Sequence, residues 1–267
     1  MDVPIYNLKG LKEGSLELPK VFTIPTRPDV IHRVYVALDS HRKQAKGTDP
    51  IAGERTSAES WGTGRGAARM ARVKGGRHPT AGKAAGVGSV VGGRIIHPPK
   101  SAKKIRKEIN RKERQLATAS ALSATANREF VTHRGHLIEH VPSIPVVVSD
   151  KLESVDKANK LRKIFEKLGM MEDLSRVSSG RKKKTGKAAL RGRVHRTPRG
   201  PLIIVANDKG IGKAVGAFPG VECIPSNDIN VLDLAPGSNP GRLTIWSESA
   251  FKTIPPGILK MGERFAS

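Results

Sequence analysis

Residues 143–168 read SIPVVVSDKLESVDKANKLRKIFEKL. Pro145-Val146-Val147-Val148 followed by Ser149-Asp150 is a short apolar run with no polar alternation, which reads as a strand buried on both faces. After it, from about Ser154 to Leu168, the residues Leu161, Ile164, Phe165 and Leu168 recur at core spacing, so a helix should pack back onto the strand. The same alternation continues toward the C-terminus. Leu202 to Ala206 is a second apolar strand, a short helix is expected near Gly212 to Phe218, and Val221 to Ile224, Val231 to Leu234 and Leu243 to Trp246 are further candidate strands before a helix at Glu248 to Thr253. Continuous apolar strands separated by helices predict an α/β fold, an open and mostly parallel sheet with helices on both faces.

Toward the N-terminus the pattern supports the same domain. Val3 to Leu8 is a probable strand, a turn follows at Lys9-Gly10, and Leu16 to Phe22 is a second extended piece. Pro28 suits a first helical position, with Val30, Val34, Ala37 and Leu38 forming one apolar stripe. Ser101 reads as the N-cap of a helix running toward Arg128. Its stripe is Ile105, Ile109, Leu116 and the mostly small residues Ala119 to Ala126, and its first half carries Lys103, Lys104, Arg106, Lys107, Arg111, Lys112 and Arg114. That basic end should point outward.

One segment does not fit the domain. From Gly47 to Pro99 there is no Leu, Phe or Tyr, and glycine recurs throughout. Burying apolar side chains offsets the entropy lost on ordering a backbone, and this segment has little to bury, so it should be extended or disordered when free. Its cations, Arg55, Arg65, Arg69, Arg72, Lys74, Arg77, Lys83 and Arg94, are opposed only by Asp49, Glu54 and Glu59. The molecule that orders it is therefore expected to be a polyanion. Gly62, Gly64, Gly66, Gly75, Gly76, Gly82, Gly86, Gly88, Gly92 and Gly93 would let its backbone pass through narrow spaces. A second tract, Arg181 to Gly200, contains Lys187, Arg191, Arg193 and other cations but no acid, and could be a further phosphate loop. The organisation expected is a globular domain from residues 1–46 and 101–267, an extended loop at 47–100, and a second basic loop at 181–200.

Charge over the full 267 residues agrees: 48 Lys and Arg against 24 Asp and Glu give a formal net charge of +24. A nucleic acid partner is the natural way to relieve that repulsion. The lone Cys223 excludes an intramolecular disulfide and any multi-cysteine metal site, and the apolar runs are too short to cross a bilayer. No signal peptide is read at Met1-Asp2-Val3-Pro4. These features predict a soluble intracellular protein.

Catalytic motifs were not found. In Gly210-Ile211-Gly212-Lys213-Ala214 the earlier P-loop glycine would be residue 207, which is Asn, and the magnesium-binding hydroxyl is replaced by Ala214. Gly82-Lys83-Ala84 fails in the same two places, with Arg77 where glycine belongs. His133, His136 and His140 have spacings that could gather on one helical face, but Gly135 and Pro142 interrupt the helix, so they are expected to lie in loops near backbone or RNA. Only 4% of residues are aromatic, too few for a base-stacking platform. Trp61 is the one large ring in the basic segment and could stack on a splayed base or wedge into a groove. Electrostatic and shape-based recognition of folded RNA is the expectation. A chromatin-type DNA-compacting protein shares the charge and the glycine-rich arm and remains the alternative.

Several runs carry a family resemblance. Gly64-Arg65-Gly66-Ala67-Ala68-Arg69-Met70, Gly92-Gly93-Arg94 with His97-Pro98-Pro99, and Asn110-Arg111-Lys112-Glu113-Arg114 resemble the archaeal and eukaryotic branch of ribosomal protein four of the large subunit. Gly186-Lys187, Arg191-Gly192-Arg193, Gly200-Pro201-Leu202, Pro219-Gly220-Val221, Leu234-Ala235-Pro236-Gly237 and Gly241-Arg242-Leu243-Thr244-Ile245-Trp246 continue it in order. The resemblance implies a globular domain on the outside of the cytoplasmic large ribosomal subunit, with about Gly47 to Lys100 threading into 23S-type ribosomal RNA. It also implies a tip, Trp61, Gly62, Gly64, Arg65, Gly66, Arg69 and Arg72, near the peptide exit tunnel and the tunnel-lining protein twenty-two. No catalytic residue, cofactor, metal, membrane or homo-oligomer is expected. The candidate RNA-binding residues are Arg55, Trp61, Arg65, Arg69, Arg72, Lys74, Arg77, Lys83, Arg94, Lys103, Lys104, Arg111, Lys112, Arg114, Lys187, Arg191 and Arg193. The loop from Asp208 to Ala217 is assigned no role.

Overall fold

The computed structural model describes residues 2–265 and divides into two compact units, Met1–Asp39 with Glu108–Ser267, and Ser40–Lys107. In chain order the first elements are β1 (Asp2–Tyr6), β2 (Lys12–Glu17), α1 (Pro28–Ser40), β3 (Ala58–Ser60), β4 (Ala71–Val73), α2 (Arg111–Ala126) and α3 (Arg128–His133). Then come β5 (Val146–Val148), α4 (Ala158–Lys167), α5 (Met171–Ser179), β6 (Lys182–Lys183), α6 (Lys187–Leu190), β7 (His195–Arg196) and β8 (Leu202–Val205). The chain finishes with α7 (Ile211–Val215), β9 (Glu222–Pro225), α8 (Val231–Leu234), β10 (Thr244–Ser247), α9 (Glu248–Lys252) and α10 (Pro256–Phe265).

The larger unit is built on a six-stranded sheet in the order β2-β1-β5-β10-β8-β9. Only the β1–β2 hairpin is antiparallel; β1, β5, β10, β8 and β9 run parallel to their neighbours. The strands read as unbroken apolar runs because both of their faces are covered. Val147, Leu202, Ile204 and Trp246 point into one layer, with residues of α1, α2, α8, α9 and α10. Val146, Val148, Ile203, Val205 and Ile245 point into the other, with residues of α3, α4 and α7. That is the period-2 alternation of a pleated strand, with apolar residues on both faces of β5 and β8 throughout and at the centre of β10.

The small residues of α2 have a packing reason. Ser120 Oγ accepts from Arg27 N at 2.6 Å, and Ser123 donates to the Ile24 carbonyl, so the helix lies against the Ile24–Arg27 backbone with little side chain between. At its C-terminus Asn127 accepts from Glu129 N at 2.8 Å and starts α3.

Four expectations are corrected. The helix expected from Ser101 begins at Arg111; upstream, the Lys107 amide donates to Ser40 Oγ and its carbonyl lies 2.9 Å from His41 Nε2, so that backbone is held outside a helix. The extended piece Leu16 to Phe22 stops at Glu17, and a 3-10 turn at Lys20–Thr23 follows Pro19 and buries Val21 and Phe22. The helix expected from about Ser154 begins at Ala158, after a 3-10 turn at Asp150–Ser154. Val231 to Leu234 is a helical turn instead of a strand, since Asn230 Oδ1 accepts from Leu232 N at 2.8 Å and Asp233 N at 3.3 Å; asparagine there is a strong N-cap.

Candidate nucleic-acid interface

In the smaller unit the chain makes turns and one short ladder. The amide of Thr48 donates to the Pro99 carbonyl at 3.0 Å, and a Cβ on Gly53 would lie 2.5 Å from backbone atoms of Gly93 and Arg94, so the two limbs meet there only because Gly53 has no side chain. Further along, β3 and β4 pair antiparallel, Glu59 opposite Arg72. No residue from His41 to Leu116 is buried, so hydrophobic burial contributes little to holding this unit.

Its charges divide into two groups. Asp49, Glu54 and Glu59 pair respectively with Arg55, Arg94 and Lys74, all substantially exposed. Arg65, Arg69, Arg77 and Lys83 are exposed and have no carboxylate partner among the described residues. Arg72 differs again: its guanidinium sits 5.0 Å from the centroid of the Trp61 ring, and its Nη1 donates to the Gly82 carbonyl at 2.9 Å. That is a cation–π contact, and it gives Trp61 a partner within the protein while half its surface stays exposed, at 51%. Between β3 and β4, Gly62, Gly64 and Gly66 have φ of 74°, 80° and 62°, in the left-handed region that a side chain disfavours.

The remaining candidates lie on separate elements. Lys103 and Lys104 are exposed in the irregular stretch before α2, and Arg111, Lys112 and Arg114 are exposed on its first turn. Lys187, Arg191 and Arg193 are exposed at and after α6, between β6 and β7, a two-residue antiparallel pair joining Lys182 to Arg196 and Lys183 to His195.

Several groups that sequence reasoning left open are structural. His136 is buried, with Nδ1 at 3.1 Å from both carboxylate oxygens of buried Asp173, which also accepts from Leu137 N and Arg176 Nε. It lies in the loop after α3, as expected, but that loop position is buried and its partner is a carboxylate of the protein. Burial, against the attraction of Asp173, holds its pKa below the ordinary value. Burial alone would raise the Asp173 carboxyl, but the bonds from His136 and Arg176, with their charges, together outweigh it and hold it below its usual range. Among the described residues no cluster of His, Cys, Asp and Glu is arranged to hold a metal.

The Asp208 to Ala217 loop also gains a role. Asp208 Oδ1 accepts from Gly210 N at 2.9 Å and Gly212 N at 3.2 Å, turning the chain into α7, whose Ile211, Ala214 and Val215 are buried. Lys209 lies 3.3 Å from buried Glu153, whose other oxygen accepts from Ala206 N and Ser247 Oγ, each at 2.9 Å. Burial, with Asp208 and Glu153 nearby, pushes the Cys223 thiol up to about 12, so it is no nucleophile at neutral pH.

The largest omission was a set of arginines tying loops together. Arg242 is fully buried; its Nε donates to the Gly200 carbonyl at 2.9 Å and its Nη1 to Glu222 at 2.7 Å and the Asp233 carbonyl at 2.8 Å. Arg199, in the basic tract, pairs with the same Glu222, Arg176 donates to the Arg199 carbonyl at 3.0 Å, and Arg134 donates to the carbonyls of Pro236 and Asn239. Burial, reinforced by Arg199, pushes the Arg242 guanidinium down to about 9, still cationic at neutral pH. Only its position beside the apolar run Leu243 to Trp246 hinted at this in the sequence.

The chain is 45% identical over 254 residues to the "Large ribosomal subunit protein uL4" of Methanopyrus kandleri, covering 95% of this chain and 98% of that one. It is 46% identical to the same-named protein of Methanosphaera stadtmanae, covering 94% and 95%, and 43% identical to that of Saccharolobus islandicus, covering 94% and 92%. The chain belongs to the ribosomal protein L4/L1 family, whose model matches its residues 16–255.

Proposed function

We propose that this large-subunit ribosomal protein binds and organises large-subunit ribosomal RNA during assembly, with the segment from Gly47 to Lys100 embedded in the RNA. In this reading its tip, about Trp61 to Arg72, forms part of the peptide exit tunnel wall beside the tunnel-lining protein twenty-two. The family is one of structural ribosomal proteins and not of enzymes. What carries the reading is the charge arrangement of the arm: each of its acids is matched with one cation, and Arg65, Arg69, Arg77 and Lys83 stay exposed without a carboxylate partner among the described residues. Phosphates are the ligands that such guanidinium forks and ammonium groups fit. Gly62, Gly64 and Gly66, with no heavy atom within 4 Å of a built Cβ, leave the tip backbone open to close approach.

The test is a salt titration of binding to transcribed large-subunit RNA, with duplex DNA as competitor. Wild type should prefer the RNA at raised salt, and R65A/R69A/R77A should lower the slope of log affinity against log salt by about 2 to 3, near one per lost phosphate contact. Equal binding of duplex DNA would instead favour a chromatin-type protein.

A further inference from the structure

A second cationic feature lies in the larger unit, where no element was expected beyond Thr253. A groove of about 710 Å³ separates the start of α2 from α10, lined by Arg111 and Lys112 on one wall and Lys260 and Arg264 on the other. The two helices are brought together closely. The Gln115 amide fills the space beside Gly257: a Cβ there would lie 2.3 Å from Gln115 Nε2, and the side chain would have to swing aside. Met261, buried against the core, anchors α10 beneath the groove.

The four cations are exposed, and none forms an ion pair among the described residues, whereas Arg33 on α1 and Lys252 on α9 do, with Glu113 and Glu248. Glu263 is the one acid in the lining. Like charges converging on one groove repel each other in the free protein, and an anion threading between them removes that cost. The groove has the size of a site for a nucleotide or a few phosphates, not of a flat protein interface. Two arginine forks, two ammonium groups and an amide supply phosphate donors, and the guanidinium planes can also stack on a base.

We propose that this groove seats a strand of large-subunit ribosomal RNA, with Lys260 and Arg264 holding its phosphates from the side opposite Arg111 and Lys112. The proposal rests on the reading that the chain binds this RNA, and it adds a contact from the C-terminal helix, which neither the arm nor the basic loop at 181–200 supplies.

The experiment compares wild type, K260A/R264A and a control, K160A/K163A, whose side chains are exposed on α4. Alanine preserves helical propensity, and K260Q/R264Q repeats the test should the thermal transition of the alanine variant fall. With transcribed large-subunit RNA, the groove variant should bind several-fold more weakly at low salt and its salt slope should fall by about 1 to 2. A hydroxyl-radical source tethered at K260C should cleave that RNA at discrete positions. A groove variant indistinguishable from wild type or from the control, or diffuse cleavage, overturns the proposal while leaving the parent reading intact. Capture of an acidic protein with unchanged RNA binding overturns it too. Wild type without preference for the RNA overturns both.

Discussion

The sheet and the arm use one chain in opposite ways. In β5, β8 and β10 every residue is buried, and Trp246 at the centre packs edge-on to Phe22 and Phe251, with ring centroids 6.0 and 5.5 Å away. From His41 to Leu116 nothing is buried. The comparison teaches that apolar pattern and positive charge do different work: the first makes a fold that specifies itself, the second leaves a segment without a core of its own.

The hardest way to break this contrast is to attack the sheet. Trp246→Ala removes a fully buried ring and should cost about 3–5 kcal/mol in denaturant unfolding; a loss below about 1 kcal/mol would mean that the central strand does not carry the stability assigned to it. Next comes the buried arginine. Arg242→Met leaves Glu222 without one of its two guanidinium partners and the Gly200 and Asp233 carbonyls without their donor, and should cost about 3 kcal/mol. Arg242→Lys should recover only part of this, because an ammonium cannot reach three acceptors spread around a planar fork.

A smaller effect separates the core histidine from the exposed ones. The folded state holds His136 neutral, with its pKa below the unfolded value of about 6.5. Protonation therefore favours the unfolded chain: the stability is fully present above that value and is lost as the pH falls below it. Asp173, also lowered, adds a loss of the same sign at more acid pH, below the unfolded carboxylate range. His136→Asn keeps a donor toward Asp173 without a titrating ring, so its thermal midpoint should drop less than that of wild type between pH 7 and pH 5. Equal drops would show that another group governs the acid response.

The smallest expected effect belongs to the arm. R65A/R69A/R77A should shift unfolding of the larger unit by no more than about 0.5 kcal/mol, although RNA binding weakens. Limited proteolysis of the free protein sharpens the contrast: cleavage should concentrate between Gly47 and Pro99, where no residue is buried. A large stability loss, or equal protection of that segment, would erase the distinction between the two regions.

Much of the larger unit was legible because period and burial leave marks on a single strand of text. Pro145 to Val148, Leu202 to Ala206 and Leu243 to Trp246 stood out as candidate strands and are seen as β5, β8 and β10, and the helix stripes of α1 and α4 stood out by their spacing. Boundaries were less legible where local chemistry competed with pattern. Asn230 turned an apolar run into a helix by capping it, and the bonds of Lys107 to Ser40 and His41 held off the start of α2. For the candidate interface, sequence exposed which residues are cationic but not which are already matched. Arg55, Lys74 and Arg94 look like Arg65, Arg69 and Arg77 until the fold brings Asp49, Glu59 and Glu54 to them.

By itself the sequence determined the class of sheet and the cationic character of the arm, since composition and short-range periodicity are properties of residues near one another along the chain, and its motif runs carried the family resemblance. Only the tertiary structure decided that Arg242 is an internal tie and Lys260 a groove wall. It likewise decided that Arg72 faces Trp61 and that His136 belongs to Asp173. Each of those roles depends on which distant carboxylate, carbonyl or ring folding delivers to within a few ångströms, and a guanidinium or imidazole carries no sign of its future neighbour until the backbone has closed around it.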